Sequence, residues 1–304
     1  MTDVPVLKIT DLTVRVPAAT RTDSGRGDLT LVDRVSLTIA RGERVALVGE
    51  SGSGKSMTAK AVLRLDPTVE LSGSVRVAGQ EVVGAPERRL RQLRGSTVSM
   101  VFQDPMTALN PVLTIGDQVA EPLVIRGVGR RTARRQAVEM LDRLGVPSAA
   151  TRLGAYPHEF SGGMRQRVVM AAALIAGPQL LIADEPTTAL DVRVQEQVLD
   201  LLEEQSRELG LAVLLITHDL AIVAGLAHRV AVMRHGRIVE DRPVDDLFRS
   251  PEHPYTRGLL ASIPSVDADP DVRLQTVEDV MRADAAASVA PALLSDTLLE
   301  EARP

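Results

Sequence analysis

The chain has 304 residues, and 35 Lys and Arg against 40 Asp and Glu leave a net charge of −5, which argues against a basic protein that coats nucleic acid. With 44% hydrophobic and 25% charged residues it can bury a core, so fibrous and wholly disordered classes drop out. The absence of cysteine excludes disulfides, thiolate-held clusters and cysteine nucleophiles, while two Tyr, three Phe and no Trp are too few rings for a stacking platform or a membrane belt. In chain order, β-type segments are expected at 7–9, 14–16, 35–39 and 45–48, with a polar loop over 18–28. Further strands are expected at 98–102, 180–183, 213–217 and 230–233, most of them continuous apolar runs of the kind covered on both faces in a parallel sheet.

Between these runs lie helical patterns. Ala137, Met140, Leu141 and Leu144 recur at helical spacing, and Gly145 supplies a stop. The order predicts a layered α/β core with a helical insertion at roughly 104–165. Arg88, Arg89, Arg91 and Arg94, and later Arg130, Arg131, Arg134 and Arg135, read as solvated helix faces rather than contacts to a phosphate backbone. The longest uncharged stretch, 168–183, is shorter than the ~20 residues of a membrane span, and the N-terminus carries no secretory pattern, so a cytosolic chain is expected, free or docked. After about residue 246 the composition changes to a Pro-containing appendage, and the acidic, Ala-rich residues 266–304 are expected to form a partly disordered tail.

Three stretches carry chemistry. GESGSGKS, Gly49 to Ser56, follows an expected strand and opens an expected helix, the context in which G-x-x-x-x-G-K-[ST] binds polyphosphate. Its glycines let successive N–H groups turn inward, Lys55 can reach the β and γ phosphates, and the Ser56 hydroxyl can ligate Mg²⁺. Glu50, Ser51, Gly52, Ser53, Gly54 and Met57 complete the candidate cradle. In LLIADEPTTALD, an apolar strand delivers Asp184 and Glu185 to its C-terminal end, one carboxylate for a metal shell and the other to polarise a water. FSGGMRQR places Ser161, Gly162, Gly163 and Met164 at a helix start, either as a second anion site or as an ordinary cap.

With Gln103 in VFQDP and His218 after VLLIT, these signals occur in one order, and the chain over about 4–265 resembles the nucleotide-binding subunit of ATP-binding-cassette (ABC) transporters. The resemblance implies a P-loop NTPase core with an N-terminal antiparallel β subdomain, and ATP with Mg²⁺ as cofactors. It makes Gln103 the loop glutamine at the metal, Ser161 to Met164 the signature, and Asp184 and Glu185 the metal-shell acid and general base. Asp191 becomes the dimer-contact acid and His218 the γ-phosphate switch. It also implies a head-to-tail pair with a second ATPase subunit, two transmembrane permease subunits, an extracytoplasmic binding protein, no nucleic acid, and a peripheral position on the cytoplasmic membrane face.

Phe102 to Leu123 and Ser250 to Pro264 resemble the dipeptide and oligopeptide importer ATPases, a group that includes nickel and metallophore systems. Met106 resembles one of two paralogous subunits, which implies a heterodimer. Phe160 and Met164 depart from the commonest signature residues, Val16 stands where many relatives place an adenine-stacking ring, and without cysteine the iron–sulfur cluster motif of many peptide importers is absent. Two alternatives remain: a soluble cassette ATPase acting on DNA or ribosomes, disfavoured by a single cassette without a sustained heptad, and a non-catalytic regulatory subunit, disfavoured by intact Glu185 and His218.

Overall fold

The computed structural model describes residues 4–20, 27–102, 108–186, 192–262 and 276–282. The first half of the chain forms β1 (Leu7–Val16), β2 (Leu29–Ile39), β3 (Arg44–Val48), α1 (Lys55–Leu63), β4 (Glu70–Val77), β5 (Gln80–Glu81), α2 (Glu87–Leu93) and β6 (Val98–Val101). Helices α3 (Ile115–Ile125), α4 (Arg130–Arg143), α5 (Ala149–Arg152) and α6 (Gly162–Leu174) follow. The chain then alternates through β7 (Leu180–Asp184), α7 (Val192–Leu209), β8 (Ala212–Ile216), α8 (Leu220–Leu226) and β9 (Arg229–Arg234). It closes with β10 (Arg237–Pro243), α9 (Val244–Arg249) and α10 (Pro254–Ala261).

Two sheets result. One is antiparallel in the order β2-β1-β4-β5, and the other runs β10-β9-β3-β8-β7-β6. In the second, β9, β3, β8, β7 and β6 are parallel, and β10 pairs antiparallel at one edge. The apolar runs follow from this placement, because a central parallel strand has no solvent face. Leu181, Ala183, Val213 and Leu215 face a core shared with α3 to α7, whereas Leu180, Ile182, Leu214 and Ile216 face a core shared with the antiparallel sheet. The period of 2 is hidden in sequence because both faces demand apolar residues.

The segments expected at 7–9 and 14–16 are one strand, β1, whose register shifts between Ile9 and Val14 where Asp11 takes a left-handed φ of 47°. Such bulges let polar Thr10 and Asp11 interrupt the apolar pattern without ending the pairing. The segment expected at 35–39 begins six residues earlier, at Leu29, and β4 and β10 were not anticipated; their alternation is diluted by Glu70, Ser72, Gly73 and Ser74, and by Glu240, Asp241 and Arg242. The helical stripe is as expected: Ala137, Leu141 and Leu144 are buried, Met140 is partly so, and Gly145 ends α4 with a φ of 69°. Glu87 pairs with Arg64, Arg91 and Arg94, Asp117 with Arg134, and Glu139 with Arg135, so Arg91, Arg94, Arg134 and Arg135 each meet a carboxylate of the chain itself.

The C-terminal residues pack on the face of β3 and β9 that presents Ala46, Val48, Val230 and Val232. Leu247 of α9, Tyr255 of α10, and Val277 and Met281 of the helical turn at 277–282 fill this third cluster. Among the described residues no helix is long and apolar enough to cross a membrane.

Candidate functional site

The loop between β3 and α1 forms at the C-terminal edge of the parallel sheet, where open α/β folds gather their ligands. Gly49 has a φ of 150°, and a Cβ there would lie 2.1 Å from the Met233 carbonyl oxygen of β9. Gly54, at the N-cap of α1, has a φ of 106°, and a Cβ would meet the Leu31 carbonyl at 2.9 Å. Both positions therefore admit only glycine without displacement of backbone. Gly54, the N-cap, has no side chain to bond the first-turn N–H groups of α1, the groups that bind anions at a helix start. The turn between β9 and β10 supports the loop from behind, with Gly236 N–H donating to the Ser53 carbonyl at 2.9 Å.

Lys55 is only 7% exposed, and its Nζ donates to the carbonyls of Gly49 at 2.7 Å and Glu50 at 2.8 Å. Burial pulls its pKa down, opposed by the negative charges of Glu185, Asp184 and Glu50. The ammonium is thus concentrated on a cavity of about 330 Å³ lined by the loop glycines with Leu31, Ser56, Met57, Glu185 and His218.

Strand pairing brings the carboxylates to the same edge. Asp184 on β7 and Leu47 on β3 both pair with Ile216 of the intervening β8, which sets them level across the sheet. Ser56 Oγ donates to Asp184 Oδ1 at 3.1 Å. Burial raises the Asp184 pKa, and the Ser56 hydrogen bond works against that rise. Glu185 leaves the strand with a left-handed φ of 49°, its N–H donating to the Ile216 carbonyl at 2.8 Å. That turn points Asp184 to Ser56 and Glu185 to the cavity, where Glu185 Oε1 lies 3.0 Å from His218 Nδ1. A non-glycine residue in this region costs of order 1–3 kcal/mol and persists where surrounding contacts over-determine it.

The expected residues therefore divide. Gly49, Ser51, Gly52, Gly54, Lys55, Ser56, Met57, Glu185 and His218 line one cavity, with Asp184 behind Ser56. Ser161 to Met164 lie elsewhere: Ser161 caps α6 by accepting from Met164 N–H at 3.4 Å, and it is exposed. Gln103, Met106 and Asp191 lie outside the described residues. Val16 pairs with Leu29 and does not line the cavity; Leu31, two residues farther along β2, does. Sequence reasoning missed Leu31, and it missed Gln166, a 2% exposed residue of α6 whose Nε2 reaches the Glu185 carbonyl at 3.4 Å. A single amide after SGG carries no signal of that contact.

Residues 32–188 match the ABC transporter family. The chain belongs to it. Residues 239–287 of this ABC ATPase match the C-terminal region of oligopeptide/dipeptide transporters. Over 246 residues it is 52% identical to a protein of Brucella melitensis biotype 1 named as a peptide import ATP-binding protein, covering 78% of this chain and 73% of that one. A similarly named protein of Brucella abortus is 49% identical over 276 residues, covering 90% and 81%. Among solved structures, the ATP-binding cassette MJ0796, a dimer in a post-hydrolysis state bound to ADP and Pi, is similar with a TM-score of 0.70 at 27% identity, covering 78% of this chain and 98% of that one. CbiO1 of Clostridium perfringens, part of an ABC transporter complex, is similar with a TM-score of 0.65 at 26% identity, covering 81% and 91%. These likenesses agree with the mixed architecture of the ABC ATPase and with its capacity to bind ATP.

Proposed function

We propose that this ABC ATPase powers uptake of oligopeptides or dipeptides, with ATP held in the cavity at Lys55. The observation that carries the ATPase role is the convergence of a buried cation, a hydroxyl–carboxylate pair and a carboxylate–imidazole pair at one 330 Å³ cavity, and the C-terminal match supports the peptide cargo. In that reading Lys55 and the first-turn N–H groups of α1 hold the phosphates, while the N–H groups of Glu50 and Ser53 are bonded within the protein, to the Tyr255 hydroxyl and the Glu50 carbonyl; the fixed charge stabilises the transferring phosphoryl group. Ser56 and Asp184 present adjacent oxygen ligands of the kind Mg²⁺ takes, the remaining positions going to phosphate and water. When bound, such a cation neutralises charge on the phosphates. Glu185 is the general base toward an attacking water, and a His218 Nδ1–H donated to its carboxylate orients it. Gln103 contributes to the metal shell and to sensing the permease, and Asp191 to the dimer contact.

Because Ser161 to Met164 sit away from the chain's own cavity, they serve the nucleotide of a second subunit in a head-to-tail pair. We assign that subunit to a paralogue, with two transmembrane permeases and, through them, an extracytoplasmic binding protein. The chain then works as a peripheral subunit at the cytoplasmic membrane face. The segments about 4–265 and 246–265 form the nucleotide-binding domain and its peptide-importer-type end. The test is reconstitution in liposomes with the subunits that co-purify from solubilised membranes. ATP-dependent accumulation of labelled di- and oligopeptides supports the reading; accumulation of nickel alone, or none, overturns it.

A further inference from the structure

The loop that faces the cavity is also held from its outer side by a residue that neither the phosphate-loop pattern nor the proposed chemistry uses. Glu50 N–H donates to the hydroxyl of Tyr255 at 2.8 Å, across 205 residues of sequence. Tyr255 has no exposed surface and lies in the C-terminal appendage, at the start of α10. The same peptide unit that offers Glu50 N–H carries the Gly49 carbonyl, which accepts from Lys55 Nζ at 2.7 Å on the cavity side. In a trans peptide the N–H and C=O point in opposite directions, so this plane is pinned at both ends. Tyr255 grips the outer end and Lys55 the inner.

Gly49 makes that grip consequential. Without a Cβ, a peptide following glycine can rotate at little steric cost, and such a rotation would take the carbonyl away from Lys55. We propose that Tyr255 is a positioning residue for the phosphate loop: its buried hydroxyl fixes the Gly49–Glu50 peptide so that the Lys55 ammonium is held at the cavity. The C-terminal appendage thereby sets the readiness of the nucleotide site. This rests on the reading that the cavity binds ATP.

The anchor for Tyr255 is built from several directions. His253 caps α10 by accepting from Tyr255 N–H at 3.1 Å, and Pro254 takes the first helical position, where no N–H is needed. The Glu240 carboxylate of β10, 7% exposed, accepts from the N–H groups of Glu252 at 2.9 Å and His253 at 3.0 Å. The Arg234 guanidinium stands 5.0 Å from the centre of the Tyr255 ring. Arg234 neighbours Met233, whose carbonyl crowds Gly49, so one strand end positions both the loop and its holder. Val277 closes the outside: a Cβ on Gly258 of α10 would lie 2.9 Å from its Cα.

Tyr255→Phe in the full chain keeps the ring and removes the acceptor. A neutral hydrogen bond of this kind contributes a few-fold to tenfold in an equilibrium, so Mg·ATP affinity by calorimetry is expected to weaken about three- to tenfold. In the assembled transporter, KM for ATP should rise by a similar factor with kcat changed less than about twofold, since no reacting atom is touched. Faster amide hydrogen exchange at Glu50 is the readout that general loss of packing does not mimic, provided the core amides of β7 and β8 keep their protection. Tyr255→Leu, which also removes the ring, should add a loss of thermal stability that the Phe variant lacks. Wild-type affinity and wild-type Glu50 exchange in Tyr255→Phe would overturn the proposal while leaving ATP binding intact. Failure of the wild-type chain and transporter to bind ATP at all would instead overturn the reading of the cavity. Protection lost equally at Glu50 and in the core would assign Tyr255 to packing and overturn the positioning role.

Discussion

Gly49→Ala tests whether the phosphate loop is wedged against the sheet as the structure has it. The new Cβ would lie 2.1 Å from the Met233 carbonyl oxygen, so loop or strand must retreat by at least 1.3 Å to reach the 3.4 Å of an ordinary contact. Overpacking of this sort costs ~1–3 kcal/mol. A side chain at a φ of 150° adds ~1–3 kcal/mol of backbone strain, for a total of roughly 2–6 kcal/mol. Gly52→Ala is the control: its φ is 80° but nothing lies within 4 Å of the added Cβ, leaving only the ~1–2 kcal/mol of a left-handed residue. At roughly 2 °C per kcal/mol for a chain of this size, calorimetric melting should fall by about 4–12 °C in Gly49→Ala and about 2–4 °C in Gly52→Ala. Retreat at Gly49 also moves the carbonyl that holds Lys55, so ATP affinity should drop at least tenfold, roughly 1.4 kcal/mol. Equal melting temperatures and equal ATP affinity in the two variants would show that Gly49 is not wedged against Met233.

Ser161→Arg should leave ATP binding by the isolated chain within about twofold, because Ser161 lies away from its own cavity, yet stop hydrolysis in the assembled pair; phosphate release measured beside calorimetry separates the two. His228 gives the pH dependence. Burial, then the Arg44 charge, lowers its pKa, and its Nδ1 accepts from Arg44 N–H at 3.1 Å. The unfolded chain therefore binds more protons just below the ordinary histidine value of about 6.5, so stability is lost as pH falls from there toward the depressed folded pKa. Melting curves from pH 7.5 to 5 should fall more steeply for wild type than for His228→Gln, and parallel curves would contradict this.

Much of the site was legible in sequence because its chemistry is local. Gly49 to Ser56 need one loop after one strand, and Asp184 and Glu185 need only to end an apolar run at the right sheet edge. That Asp184 would sit level with Leu47 was not legible, since it depends on β8 intervening between β7 and β3. The parallel strands were visible as apolar runs. By contrast β4 and β10 hold few apolar residues, and the pairing of β1 with β2 and β4 rather than apolar burial keeps Thr10 and Asp11 within one strand. Tyr255 stood in a segment that the sequence marks by its prolines, but nothing local announces that its hydroxyl meets Glu50. Contacts across two hundred residues are properties of topology, not of composition.

Glu185, turned into the cavity 3.0 Å from His218 Nδ1, is proposed to activate the water that cleaves ATP bound at Lys55. Single-turnover phosphate release by the reconstituted transporter carrying Glu185→Gln addresses it most directly. ATP should bind with affinity within about twofold of wild type, and release should slow by roughly 10²–10⁴-fold, the usual contribution of a positioned base. Release at the wild-type rate with ATP bound normally would contradict it.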